Sequence, residues 1–418
     1  IPLVALIIPA FIATFYGLIS YLFLIFKPKK ILSSILFFSL VFGSVEFIRG
    51  FVLTGFPWNL IVYSFSNQLE ILSITSIIGT YGLNLFSITL FTCPIIFILK
   101  DNKIDIGFPI LIGFLTIIFY FYGTIYKNKF YQVEKEPNDY KIRVIASNIG
   151  LERFYVNVDP VSVIVDLIEI SDSNPNEKII FVWPEGILPD ISQKELKNYN
   201  WLFSESFNEN HLLIMGINSV SNNNGSKSFF NSFSIYDNEL NLLNSYNKIK
   251  LVPFGEFLPL ENILNNFGLR SITNNYHSFS KGNKRDIIEI EHHNSLIKIL
   301  PLICYEIIYT GKLFDDPQFD LIINISEDGW FGQSIGPKQH FAHSIFRAVE
   351  SGKYLVRSSN NGITGIINPI GIVEEIVEFE ETGYVDFIEN RKIQPTIFSI
   401  YGNKIFGLLI LLYIFLIF

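Results

Sequence analysis

Four apolar runs in the first third of this 418-residue chain constrain it most, because about 20 consecutive apolar residues form a helix that crosses a bilayer. Ile1 to Phe26 is the first, Ile31 to about Leu53 the second, Ile71 to Leu99 the third and Ile106 to Tyr122 the fourth. A shorter run, Ile405 to Phe418, is a fifth candidate. The chain opens on Ile1, already inside an apolar run, so an amino-terminally incomplete bundle is expected. Composition agrees, with 49% hydrophobic residues, 16% aromatics and a mean hydropathy of +0.36, well above an ordinary soluble domain. A net charge of −8 leaves no basic footprint, which argues against nucleic acid as a partner.

Loops rich in lysine stay in the cytoplasm. The break from Lys27 to Lys30 carries three lysines and that from Lys100 to Lys103 carries two, whereas the loop from Thr54 to Gln68 carries none. Alternation then puts the Thr54 to Gln68 loop outside, together with whatever follows the fourth helix. The expected organisation is membrane helices over 1–124, a linker over 125–139, an extracytoplasmic domain over 140–400 and a last membrane helix over 401–418. Within the domain, the runs KIRVIASNI, KIIFVWPE, HLLIMGIN, FFNSFSIYD, LIKILPLICYE, FDLIINISED and KYLVRSSNNG have the length and β-branched content of buried strands. Helical patterns at Val161 to Ser171 and Gln339 to Lys353 fall between some of them. The pattern predicts an α/β layered sandwich.

The chain holds two cysteines, Cys93 in a membrane run and Cys304 in LICYEII, so no disulfide is expected between them. Taken alone, Cys304 reads as a small buried hydrophobe at a strand end. The Tyr305-Glu306 pair after it changes the balance, since a carboxylate at the mouth of a buried strand needs a partner. Glu185, in FVWPEGILPD, follows a strand stopped by Pro184 and is either a solvated turn residue or a proton acceptor. Lys248, in YNKIKLVPFGEFLPL, precedes an apolar loop that contains Glu256. A thiol attacking a carbonyl at neutral pH needs a base and a cation, and Glu185 and Lys248 supply them for Cys304. His340 and His343 have the spacing of one helix face, and neither HExxH nor paired CxxC occurs, so no metal is expected.

The order WPE, then YNKIKLVPFGEFLPL, then CYE resembles the nitrilase superfamily with its Glu-Lys-Cys triad. With TGFPWN (Thr54 to Asn59) and SEDGWFGQSIGPKQHFAHSIFRAVESGKYLVRSSNNGITGII (Ser326 to Ile367), nearly the whole chain is similar to the apolipoprotein N-acyltransferase family. That resemblance implies a nitrilase-like α-β-β-α sandwich joined to a multi-helix membrane part in the bacterial inner membrane, with the catalytic domain on the periplasmic face. It implies acyl transfer from a phospholipid, typically phosphatidylethanolamine, through a Cys304 thioester to the α-amino group of a diacylglyceryl apolipoprotein. No cofactor is implied. Glu185 is then the general base, Lys248 the stabiliser of the tetrahedral intermediates and Cys304 the nucleophile. Tyr305 adds a backbone N–H to the oxyanion hole, and Glu256 and Glu306 support Lys248 and the thiol. Trp58, on the outer loop, is a substrate contact or an interface anchor, and Trp183 is a further substrate-binding candidate. The competing expectations are a membrane-anchored amidase, with water resolving the acyl-enzyme, and a catalytically silent lipid-binding scaffold.

Overall fold

The computed structural model describes residues 2–223, 226–259, 278–311, 313–314 and 317–418. Ile1 and Leu260, at the ends of two of the stretches above, lie outside them. Helices α1 (Pro2–Phe26), α2 (Ile31–Arg49), α3 (Thr75–Thr92) and α4 (Gly107–Gln132) arise from the four apolar runs. All four are long and apolar enough to cross a membrane, α3 together with the turn that extends it to Leu99. Large side chains such as Phe114, Ile117 and Phe121 remain exposed on α4, the pattern of a helix solvated by lipid.

Two expected spans differ from the sequence reading. The third does not start at Ile71: a short helix, Leu69–Leu72, precedes α3, which bends at Gly79, where φ is +69°. A Cβ on Gly79 would lie 2.0 Å from the Phe398 ring, so only glycine permits both the bend and the contact. The fourth does not stop at Tyr122. The expected 125–139 linker is instead the last two turns of α4, three residues, and the start of β1 (Glu136–Ala146). Lys127 and Lys129 read as linker residues, yet Lys127 pairs with Glu70, Gly123 packs on the Glu70 backbone and Phe130 is buried. The fifth candidate is a 14-residue helix, Lys404–Ile417. It joins the bundle through Phe406, stacked 4.7 Å from Phe47, and Tyr413, 2.7 Å from Thr89 Oγ1.

The rest is a sandwich of two six-stranded sheets. One has the order β12-β1-β2-β3-β4-β5 and the other β11-β10-β9-β8-β7-β6. β2 is Ile179–Val182, β3 His211–Asn223, β4 Ser226–Asp237 and β5 Leu242–Asn247. β6 is Ile288–His292, β7 Ser295–Ile303, β8 Leu321–Glu327 and β9 Tyr354–Asn360. β10 is Thr364–Ile367, β11 Val373–Val377 and β12 Gly383–Asn390. In each sheet three parallel strands, β1-β2-β3 and β7-β8-β9, form the centre and antiparallel strands flank them. Five strands (β5, β6, β10, β11 and β12) escape the sequence reading because they are short or largely polar.

Successive strand residues point to opposite faces. Ile180 and Val182 therefore join the core between the sheets, while Ile179, Phe181 and Trp183 join a second cluster under α5 (Pro160–Ser171). The outer face of the other sheet is covered by α6 (Gly336–Ser351), which also packs on α3. Lying between sheet and membrane bundle, α6 is buried nearly all round, polar residues included. Its Glu350 Oε1 accepts from Thr80 N–H at 2.7 Å and from the Thr80 and Thr310 hydroxyls at 2.6 Å. Arg347 donates to Thr80 Oγ1 at 2.6 Å and to the Tyr309 carbonyl at 2.8 Å. A buried charge must find such partners, and these tie α3, α6 and the turn after β7 together.

Candidate active site

Glu185, Lys248 and Cys304 each follow a strand and meet at one end of the sandwich. Pro184, lacking an N–H, ends the β2 ladder, and its carbonyl accepts from Gly216 N–H at 3.2 Å. A Cβ on Gly216 would lie 2.5 Å from Glu185 Cα, so β3 approaches the acid this closely only through glycine. Lys248, directly after β5, donates its N–H to the Asn231 carbonyl at 2.9 Å. Cys304 follows β7 with φ at +47°, a left-handed backbone that costs a non-glycine residue about 1 kcal/mol or more. All three side chains are withdrawn from solvent, with exposures of 6%, 1% and 9%.

The Lys248 ammonium sits between two carboxylates, 3.2 Å from Glu185 Oε1 and 2.9 Å from Glu256 Oε1. Asn231 Nδ2 bridges the same two oxygens at 2.6 and 2.8 Å. Glu185 Oε2 accepts from the Glu327 N–H at 3.0 Å and Glu256 Oε2 from the Val252 N–H at 2.8 Å. Burial disfavours the Lys248 ammonium, but the charges of Glu185 and Glu256 outweigh it and hold its pKa well above the ordinary value. The Cys304 thiol is pushed the same way by burial and by the Glu185 charge, against the opposing pull of Lys248. One cation facing two carboxylates cannot also hold a thiolate, so Cys304 rests as a thiol.

Glu306 is fully buried and organises both sides of this centre. Its Oε1 accepts from Tyr246 OH at 2.6 Å, from the N–H groups of Ile249 and Lys250 at 3.0 and 3.1 Å, and pairs with Arg285 at 2.6 Å. Its Oε2 accepts from Ile303 N–H at 3.0 Å. One carboxylate thus fixes the backbone after Lys248 and the backbone before Cys304. The neighbouring tyrosines reach the membrane part: Tyr305 OH donates to the Gly55 carbonyl at 2.8 Å and Tyr309 OH to the Thr54 carbonyl at 2.7 Å. The Thr54 to Asn59 loop therefore lies on the sandwich side of the bundle, against the turn that follows Cys304.

Trp58, in that loop, is half-buried. It donates to Gln339 Oε1 at 2.8 Å, and its ring lies 5.4 Å from His340 and 5.2 Å from His343. Trp183 is not at the site. It is 1% exposed on the far face of its sheet, where its Nε1–H donates to Ser171 Oγ at 2.9 Å and it packs on Phe203. It was expected as a substrate-binding residue; the two-residue period of the strand puts the indole under α5 instead. Cys93 and Cys304 are both free.

Sequence reasoning missed several polar groups around the centre. Asn231 is one, its signal being a lone amide in the apolar run of β4. Behind Glu185, the buried Glu327 carboxylate pairs with Arg153 and accepts from Asn360 Nδ2 at 2.7 Å. Asp328 accepts from Arg357 at 2.8 Å, His340 Nδ1 at 2.9 Å and Ser326 Oγ at 2.7 Å. Although burial works against it, Arg357 and His340 hold the Asp328 carboxyl well below the usual range. The signal was the acidic pair of SEDGWFG, at the end of a buried strand.

Residues 182–387 match the family described as Carbon-nitrogen hydrolase, and residues 1–93 match the one described as Apolipoprotein N-acyltransferase N-terminal domain. An apolipoprotein N-acyltransferase of Rickettsia prowazekii is 33% identical over 385 residues, 88% of this chain and 73% of the relative. One of Brucella melitensis is 28% identical, with 92% of this chain and 73% of the relative covered. Among solved structures, a nitrilase-superfamily amidase of Nesterenkonia AN1 shares 13% identity, covers 62% of this chain and 92% of its own, and has a TM-score of 0.39. The apolar helices and these relatives make this a membrane protein. Both parts of the chain are matched, and a relative is one-third identical over most of its length: the chain belongs to the apolipoprotein N-acyltransferase family.

Proposed function

We propose that this chain moves an acyl chain from a phospholipid, phosphatidylethanolamine foremost, to the α-amino group of a diacylglyceryl apolipoprotein, with Cys304 as the covalent carrier. The observation that carries this reading is the buried Glu185-Lys248-Glu256 cluster acting on the Cys304 thiol, next to a membrane loop held by Tyr305 and Tyr309. The Cys304 proton passes to Glu185 as sulfur attacks the ester carbonyl. The oxyanion is met by Lys248 and the Tyr305 N–H. Collapse expels the lysophospholipid oxygen, which takes the proton from Glu185 and leaves a thioester. The lipoprotein amine then attacks the thioester carbonyl, gives a proton to Glu185 and expels the Cys304 sulfur, which is reprotonated. Asn231 and Glu256 keep Lys248 aimed, and Glu306 holds the two backbones that carry the lysine and the thiol. The lysine-bearing loops at the opposite ends of the helices support a reading with the sandwich on the periplasmic face of the inner membrane.

The test is peptide mass spectrometry of the detergent-solubilised chain after incubation with phosphatidylethanolamine. A hydroxylamine-labile acyl mass is expected on Cys304, moving to the amine of an added diacylglyceryl peptide. Cys304→Ala should show neither adduct nor transfer while remaining folded; transfer by that variant refutes the mechanism, and an adduct lost only to water makes the chain a hydrolase.

A further inference from the structure

At the end of the sandwich opposite Cys304, the first residues of β7, β8 and β9 and the end of β12 enclose a cavity of about 360 Å³. Tyr140, Leu296, Asp320, Lys353, Tyr354 and Arg391 are among its walls. Two of these are cations, and among the described residues neither Lys353 nor Arg391 forms an ion pair. Arg391 Nε is buried without a hydrogen-bond partner. Burial also pushes the Lys353 pKa below the ordinary lysine value, against the weaker pull of Asp320. A buried donor left without a partner, as Arg391 Nε is, costs free energy until an acceptor arrives.

Position says which acceptor. Arg391 lies over the rings of Phe130 and Tyr131, 5.6 and 5.5 Å from their centroids, in the last turn of the membrane helix α4. Both chain crossings between bundle and sandwich pass here: residues 133–135 on one side and 391–396 on the other. The second leads into a short helix, Ile397–Tyr401, with Ile397, Ile400 and Tyr401 exposed. Aromatic and apolar side chains at such a helix end mark the headgroup level of a bilayer. Because the sandwich rests on the bundle through α6, this end of its strands meets that level as well as the catalytic end does.

We propose that this cavity is a binding site for a phosphate-bearing headgroup of a membrane lipid, with Lys353 and Arg391 binding the phosphate. Its volume is in the range of small-ligand sites, and two cations suit one phosphodiester. The lipid held here is not the one consumed at Cys304; it seats the sandwich on the bilayer. Lys392, also in the wall, is already paired with Glu136, and two acids, Asp139 and Asp320, whose Oδ2 accepts from the Lys298 N–H at 2.8 Å, limit the site to one anion.

The test is native mass spectrometry of the full chain, carrying Cys304→Ala so that no lipid is consumed, in detergent doped with phosphatidylglycerol, phosphatidylethanolamine or inorganic phosphate. The parent chain should retain one lipid. Lys353→Gln with Arg391→Gln should retain about tenfold less at equal lipid, while Lys194→Gln, an exposed control, should change nothing. Lys353→Gln alone leaves the Arg391 stack intact and should lose part of the same retention, which separates binding from misfolding. Equal retention by the double variant and the parent overturns the proposal. Inorganic phosphate that displaces the lipid would assign the site to a free anion instead. Neither outcome depends on thioester chemistry, so this inference and the Cys304 mechanism fail separately.

Discussion

Cys304 combines a left-handed backbone with a protonated resting thiol, and both properties are set by neighbours that the chain supplies from far away. Glu306 reaches back to Ile303 and across to Ile249 and Lys250, so the nucleophile's turn and the lysine's turn move as one. Trp183 shows the opposite case, a residue two positions from Glu185 whose side chain lies away from the site. Trp183→Phe should lower unfolding free energy by about 1–2 kcal/mol, from the lost indole hydrogen bond and packing. Transfer rate and KM for the lipopeptide should stay unchanged; denaturant unfolding and steady-state assays check this, and a raised KM would return Trp183 to the site. The strand-end positions of Glu185, Lys248 and Cys304 were legible because each sits at a strand stop that local pattern exposes. Asn231, Asp328 and His340 were not, because a polar residue inside a strand or helix announces its role only through partners distant in sequence.

Among the elements, β3 carries the sharpest constraint, since a Cβ on Gly216 would strike the backbone of Glu185 rather than a flexible side chain. Gly216→Ala should therefore cost about 1–3 kcal/mol of stability and, by displacing the base by a fraction of an ångström or more, roughly 10²-fold in acylation. Single-turnover thioester formation beside an unfolding curve separates the two effects. α4 and α6 show where element reading falls short. The lysines near the end of α4 look like linker, but salt bridging and packing to the short helix Leu69–Leu72 keep the segment helical. α6 reads as a helical pattern with His340 and His343 on one face, but its polar residues are buried, with Thr80 of α3 and Thr310 after β7 satisfying Glu350.

For the whole molecule, the buried interface between bundle and sandwich makes stability depend on pH. His340 and His343 are buried in α6; burial pushes both pKa values down, with Arg357 and Arg347 adding to it, while Asp328 opposes the shift at His340. Trp58 and Tyr63 close the same space from the membrane side. The unfolded chain binds protons at the ordinary histidine value of 6.5, whereas the folded one stays neutral there. Below about pH 6.5 the unfolded state therefore binds more protons, and stability falls as pH falls, by up to about 1.4 kcal/mol per unit for each histidine. Asp328 acts only further down, below its ordinary 3.8, because its folded pKa is depressed. Thermal unfolding in detergent between pH 7.5 and 5 should show this slope, and His343→Gln should flatten it. An unchanged slope would place the titrating groups elsewhere. The sequence by itself determined that four long apolar helices form, that the central strands of both sheets form and that Glu185, Lys248 and Cys304 sit at strand ends, since apolar length and β-branched runs are properties of short windows. Only tertiary structure decided that Asn231 bridges Glu185 and Glu256, that Trp183 turns away and that the Thr54 to Asn59 loop seats on the Cys304 turn. Those contacts join residues from 12 to 250 positions apart, and packing, not local pattern, selects them.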